Sequence, residues 1–252
     1  MTTADIWDEA IARNYDDDCA EMFDDAVVGP TVARLAALAD GGPACEFAIG
    51  TGRVAVPLWQ SGVPVVGIEL SAPMITQLRA KVRADQIPVT EGDMATADAA
   101  GPDVVGEYSL VFLIFNTIMN PLTQDEQVGC FVNAARHLRP GGAFVVECGV
   151  PDLRRLPPGQ TAVPFEVTDT HVGVDTFDPA RQLLTSVHLN RQPDGSYRRF
   201  DSHHRYVWPA ELDLMARVAG LRLESRSADW SGTPFTADSA AHVSVYRRPA
   251  AD

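Results

Sequence analysis

The residues able to do chemistry in this chain cluster at the ends of short apolar runs. In Ala44-Cys-Glu-Phe-Ala-Ile-Gly-Thr-Gly-Arg-Val-Ala55 one carboxylate, Glu46, interrupts a run that otherwise reads as a buried parallel strand. Gly50 and Gly52 then allow a sharp turn and a close approach of a ligand to bare main chain. Gly50-Thr-Gly52-Arg-Val-Ala55 satisfies the G-x-G-x-x-A dinucleotide fingerprint. Glu69, closing the next apolar run, stands about where the acid for the cofactor ribose is expected, since a carboxylate there accepts from both hydroxyls at once. On these residues alone an NAD-dependent oxidoreductase and another nucleoside-cofactor enzyme are both open.

Further stretches separate the two. Glu46-Phe-Ala-Ile-Gly-Thr-Gly-Arg53 resembles the first motif of class I S-adenosylmethionine (SAM) dependent methyltransferases, usually E-x-G-x-G-x-G, and Gly67-Ile-Glu69-Leu-Ser71 fits that family's G-[IV]-[DE]-x-S pattern. Gly92-Asp93-Met94 follows a third short strand, Asn116-Thr117 follows the apolar run to Phe115, and Leu138-Arg-Pro-Gly-Gly142 precedes another apolar run. These ordered likenesses span residues 44 to 148, and the chain is identified as a member of the small-molecule type of that family.

The resemblance implies an α/β fold: a seven-stranded Rossmann-like sheet with an N-terminal helical lid (residues 1–40), a SAM-binding core (41–150), an inserted antiparallel β flap on the acceptor side (151–208) and a final helix and strand pair (209–252). It implies SAM as cofactor, S-adenosylhomocysteine as product and no metal. The implied cofactor contacts are Glu46, Ala48, Gly50, Gly52, Arg53, Glu69, Leu70, Met74, Gly92, Asp93, Met94, Phe115 and Asn116. Asp93 takes the adenine amine, with Met94 and Met74 against the ring, although both methionines also suit ordinary core filling. Asn116 stands where methyl group meets acceptor, or merely caps the following turn. Tyr15 belongs to the lid, near the methionine end, or anchors its helix to the core. Ala48 replaces the motif's first glycine, and its Cβ predicts an ordinary β conformation there.

Helices are expected over about Ile6–Tyr15, Thr31–Ala39 (with Pro30 at its start), Arg53–Gln60, Ser71–Arg83, Thr123–Leu138 (opened by a Thr-x-x-Glu capping box) and Pro209–Ala219. The Pro140-Gly-Gly turn is expected to join helix to strand tightly. His137, in a last helical turn, reads as a cation favouring the helix dipole. Thr161–Thr170, Leu183–Arg191 and Tyr197–Trp208 read as the strands of the flap, with Gln192-Pro-Asp-Gly-Ser as a hairpin turn, and Leu221–Ala228 and Ala241–Arg247 as a closing pair.

Methyl transfer from a sulfonium is mainly a problem of holding two reactants in line. A hydroxyl acceptor gains more from a base than an amine does. His203 and His204 are the candidates: strand alternation sends one to each face of the flap, one into the crevice. His171 is a weaker one. Arg205, Tyr206, Trp208, Trp230 and Phe235 are candidates for lining the acceptor pocket or for packing.

A net charge of −14 and a pI near 4.7 argue against a grip on nucleic acid or on an anionic membrane. The four cysteines show no C-x-x-C pair and no metal-ligand spacing, the N-terminus lacks the regions of a signal peptide, and no apolar run is long enough to span a bilayer. The expectation is therefore a cytoplasmic enzyme with reduced thiols, a small-molecule methyl acceptor, and a monomer or a homodimer. A non-catalytic SAM-binding protein is the remaining alternative.

Overall fold

The computed structural model describes residues 9–99 and 105–250. Eleven strands and six α-helices are described: α1 (Glu9–Asp18), α2 (Asp25–Ala39), β1 (Ala44–Phe47), α3 (Ala55–Gln60), β2 (Val65–Glu69), α4 (Ala72–Arg79), β3 (Val89–Glu91), β4 (Tyr108–Leu113), α5 (Gln124–His137), β5 (Leu138–Gly149), β6 (Ala162–Val167), β7 (His171–Asp178), β8 (Leu183–Arg191), β9 (Tyr197–Arg205), α6 (Pro209–Val218), β10 (Arg222–Ser227) and β11 (Ala241–Arg247). Seven of the strands form one sheet in the order β10-β11-β5-β4-β1-β2-β3; only β11 runs against the rest.

The central strands carry apolar residues on both faces because both faces are covered. All six residues of β4, Tyr-Ser-Leu-Val-Phe-Leu, are buried. One face packs on α5 and α6 through Phe131, Leu212 and Tyr246. The other packs on α2, α3 and α4 through Leu35, Leu58 and Leu78. From β1 the chain moves to β2 on one side and later to β4 on the other. The strand order therefore reverses at the C-terminal ends of β1 and β4, the crevice where ligands bind in open α/β sheets.

Local chemistry sets the helix ends. Ser71 accepts from the Met74 NH at the start of α4, and Thr123 and Glu126 close a reciprocal capping box on α5. Three expectations shift. Helix α2 begins at Asp25, six residues before Thr31, because Asp24 caps it by accepting the Ala26 NH, so Pro30 is interior. The Pro-Gly-Gly segment belongs to β5, whose pairing with β4 slips between Tyr108 and Leu110; Gly141, at φ 79°, gives its NH to the Arg248 carbonyl. His137 is no dipole cation. It is fully buried, its Nε2 accepts from the Ala99 NH and its Nδ1 meets the Asn133 carbonyl, a pattern that requires the neutral ring.

The inserted segment forms its own antiparallel sheet of four strands, β6-β7-β8-β9, one more than expected. The additional strand, β7, follows a tight turn in which the Thr168 hydroxyl accepts the NH groups of Thr170 and His171. The turn at Gln192–Ser196 is as expected, with Gly195 at φ 86° and the Gln192 NH bonded to the Ser196 carbonyl.

Arg205, at the end of β9, fixes this sheet to the core. It donates to Gln127 of α5, to Gln182 in the β7–β8 turn (3.0 Å) and to Glu211 of α6 (2.8 Å). Gln182 and Gln124 also donate to Glu211, at 2.8 and 2.7 Å. Arg205 is thus buried in a structural junction and does not line the crevice. Ile6, taken as the start of the first helix, lies outside the described residues.

Candidate functional site

Two connected cavities open at the reversal point. The larger, of about 840 Å³, runs from the loop after β1 to the inner face of the flap; the smaller, of about 80 Å³, runs toward the end of β3. Ala48, Glu69, Thr117 and Asn120 border both.

The loop after β1 turns through three residues of positive φ: Ala48 at 54°, Gly50 at 56° and Gly52 at 84°. Ala48 is therefore left-handed, against the expectation of β geometry, and accepts the strain of a Cβ there. The two glycines do different work. A Cβ on Gly50 would meet only the Ala48 carbonyl oxygen, at 4.0 Å, so that position opens onto the cavity. A Cβ on Gly52 would lie 2.4 Å from Leu78 Cδ1 and 2.9 Å from Val56 Cγ2. Gly52 lets the loop pack on α4 and, contrary to expectation, is not part of either cavity wall.

Glu69 binds the loop to the next strand. Its Oε2 accepts the Gly50 NH and its Oε1 the Ser71 NH, both at 2.8 Å. Burial raises its pKa, opposed by the NH groups of Ser71, Gly50 and Leu70. Each oxygen keeps a lone pair for a hydroxyl, and the side chain faces both cavities.

Glu46, behind the loop, is 4% exposed and its Oε2 has no hydrogen-bond partner. Burial pushes its pKa up to about 8; the Arg53 guanidinium and the Ala55 NH pull the other way, and Glu69 adds to the rise. An orphaned, nearly neutral carboxyl beside a carboxylate ready for hydroxyls suits a ligand with a ribose and a cationic end.

The opposite wall comes from the segment after β4. Phe115 and Asn116 are both left-handed, at φ 57° and 60°. Glu147, which sequence reasoning missed, secures this strained pair: its Oε2 accepts the Phe115 NH at 2.9 Å, its carbonyl accepts the Asn116 NH at 3.3 Å, and its Oε1 accepts Trp230 Nε1 at 2.8 Å. Asn116 Oδ1 accepts the Gly149 NH at 2.6 Å and makes no side-chain cap to the following turn. Its amide NH2 remains to donate.

Helix α1 borders a third side. Tyr15 borders the larger cavity, and its phenol pKa is pushed up to about 12, first by burial. Asp16 accepts the Thr51 hydroxyl at 2.6 Å and pairs with Lys81, whose ammonium also donates to the Thr51 carbonyl at 2.9 Å. Arg53 stacks 4.8 Å over the Phe115 ring and donates to the Met22 carbonyl at 3.3 Å. It links lid and wall from outside the cavities. Nothing in the sequence singled out Asp16, Thr51 or Lys81, which meet only on folding.

Met74 borders the larger cavity; Leu70, Gly92, Asp93 and Met94 border the smaller. Asp93 uses Oδ1 to accept the Ala95 NH at 2.8 Å. On the flap, His204 and Tyr206 line the larger cavity with Asp175, Phe177, Leu184 and Ser186. His203 is on the other face, at 3.0 Å from the Thr185 hydroxyl. His204 Nε2 meets the Ser202 hydroxyl at 3.1 Å, and its pKa is lowered, first by burial. His171 lies away from the cavity, its Nδ1 2.5 Å from Glu166 and its Nε2 3.1 Å from His188. Trp208 is the residue just before α6, 39% exposed, and Phe235 packs on Arg226 and His242; neither lines the cavities, and Trp230 serves Glu147.

Comparison with known proteins gives this geometry a setting. The profile described as a methyltransferase domain matches residues 44–142. The CcbJ methyltransferase structure from Streptomyces caelestis is 43% identical, covers 87% of this chain and 94% of its own, and superposes with a TM-score of 0.77. The cypemycin N-terminal methyltransferase of a Streptomyces species is 28% identical over 98% of this chain and all of its own length. SAM-bound CalS10, an amino pentose methyltransferase from Micromonospora echinaspora, shares the fold at 19% identity, a TM-score of 0.65 and coverage of 88% of this chain and 89% of its own. The oxidoreductase reading of the glycine loop is set aside: the chain belongs to the class I SAM-dependent methyltransferases.

Proposed function

We propose that the protein transfers the methyl group of SAM to an amine nitrogen of a small natural product. The observation that carries this reading is the continuity of the larger cavity from the Gly50 loop to the flap, where His204 stands in the wall with a lowered pKa. Support for an amine comes from a relative whose name places its methylation at an N-terminus.

When bound, SAM supplies a methyl group already activated on a sulfonium and open to in-line displacement. Glu69 takes the ribose hydroxyls on its remaining lone pairs, and Asp93 takes the adenine amine on Oδ2 with Met94 beside the ring. Glu46 faces the methionine ammonium, while Gly50 lets the chain approach without a Cβ in the way. Tyr15 and Asn116 flank the meeting point of methyl and acceptor, and the second lone pair of Asn116 Oδ1 accepts an N–H of the incoming nitrogen, so that its own lone pair stays directed at the methyl group. His204, neutral at pH 7, receives the proton that the nitrogen loses. Most of the rate then comes from holding two reactants in line, with a smaller share from proton removal.

The reading keeps the division into lid (1–40), core (41–150), flap (151–208) and closing segment (209–252), with the acceptor between core and flap. It places the enzyme in the cytoplasm with reduced thiols, works without a metal, and needs neither nucleic acid nor membrane as partner. No helix among the described residues is long and apolar enough to cross a membrane.

The test is transfer of labelled methyl from SAM to amines paired with matched alcohols and carboxylic acids. The expected result is product with amines alone; product confined to alcohols or acids contradicts the proposal.

A further inference from the structure

The flap presents the cavity with side chains in ordered cross-strand rows. Phe177, Leu184 and His204 form one row, because Phe177 pairs with Leu184 and Leu184 with His204. Asp175 pairs with Ser186, and Ser186 with Ser202, forming the next row on the same face. Two residues along a strand separate the rows, about 7 Å. The row holding His204 is the nearer to Arg205, whose bonds tie the flap to the core, so Asp175 stands one step farther from the core.

Asp175 differs from the other charged groups on this wall. Glu69 holds the glycine loop and faces the ribose end of the cavity, Asp152 is paired with Arg154 at 2.8 Å, and Arg155 donates to the Pro164 carbonyl at 3.3 Å. The Ser186 hydroxyl donates to Asp175 Oδ1 at 2.6 Å, and among the described residues Asp175 belongs to no ion pair. A partly buried carboxylate, oriented by a serine and lining a cavity, is a receptor for a cation.

We infer that Asp175 is a specificity residue that binds a second cationic group on the acceptor, about one cross-strand row from the nitrogen that is methylated. This rests on the larger cavity being the acceptor site and deepens that reading: the acceptor class is a diamine or an amine bearing a guanidinium. Asp175 takes no part in the transfer. It fixes one end of the acceptor so that the other reaches the row of His204.

Calorimetric titration of the protein loaded with S-adenosylhomocysteine tests this with cadaverine, pentylamine and aminopentanol as probes. Cadaverine is expected to bind about tenfold tighter than the other two. Asp175→Asn is expected to abolish that preference while affinity for S-adenosylhomocysteine is unchanged; Ser186→Ala reduces the preference in part. The long-range field of a chain carrying −14 is nearly the same in both variants, so it cannot imitate the result. Equal binding of the three probes to the wild type, or a preference that survives Asp175→Asn, overturns the inference. If the preference follows Asp175 but labelled SAM methylates no amine, the amine-transfer proposal fails and the Asp175 site stands.

Discussion

Glu46 and His204 titrate in opposite senses, and each gives a separate test. Glu46 in the cofactor-free protein has its pKa raised to about 8, so at pH 7 it is mostly protonated. The native state then binds more protons than the unfolded chain between the ordinary carboxylate value and about 8, and across that window this group lowers stability as pH rises. A bound ammonium and sulfonium favour the carboxylate, so SAM binding at pH 7 is expected to release protons. Calorimetry in buffers of different ionisation enthalpy measures the release; none is expected in Glu46→Gln. Burial shifts His204 down from 6.5, opposed by Asp175 from β7 and helped by His203 from its own strand and His188 from β8. As the proton acceptor it requires kcat to decline only below pH 6.5, and His204→Ala is expected to lose about a hundredfold in kcat and that acid limb. A profile unchanged by the substitution removes His204 from the reaction.

Among the elements, the loop after β1 depends on its neighbours. Gly52→Ala is expected to cost about 2 kcal/mol, through the crowding against Leu78 and Val56 and the positive φ, and to appear as a lowered Tm. Helix α1 acts through a different contact. Asp16→Asn weakens the junction with Thr51 and Lys81, and is expected to raise the Kd for SAM about threefold and speed its release, with little change in Tm, since the pair is partly exposed.

These elements also show where sequence is informative. Ser71 and the Thr123–Glu126 box act through neighbours three residues away, so their patterns are visible in the chain, and Glu69 is marked by its place at the end of an apolar run although one of its partners, Gly50, is 19 residues away. Glu147, Asp16 and Asp175 acquire partners 32, 35 and 11 residues away, and no local pattern marks them. Strand β7 went unseen because its turn is made by a threonine side chain and not by glycine or proline. Gly52 had the right type for a ligand loop, but only the position of Leu78 shows what its missing Cβ makes room for.

At the scale of the whole molecule, residues of the flap and of the core wall one cavity, and Arg205 joins the two. Arg205→Ala would leave the partly buried Glu211 without its cation, and is expected to cost about 3 kcal/mol and to weaken acceptor binding more than SAM binding. Thermal melts and the two affinities measured side by side check it. The central claim is that the methyl group is delivered into this shared cavity. The most direct measurement is a crystal structure with S-adenosylhomocysteine bound. The account requires its ribose hydroxyls on Glu69 and the outward face of its sulfur open to the space between Tyr15, Asn116 and His204. A sulfur facing away from the flap, or a ribose without contact to Glu69, would contradict it.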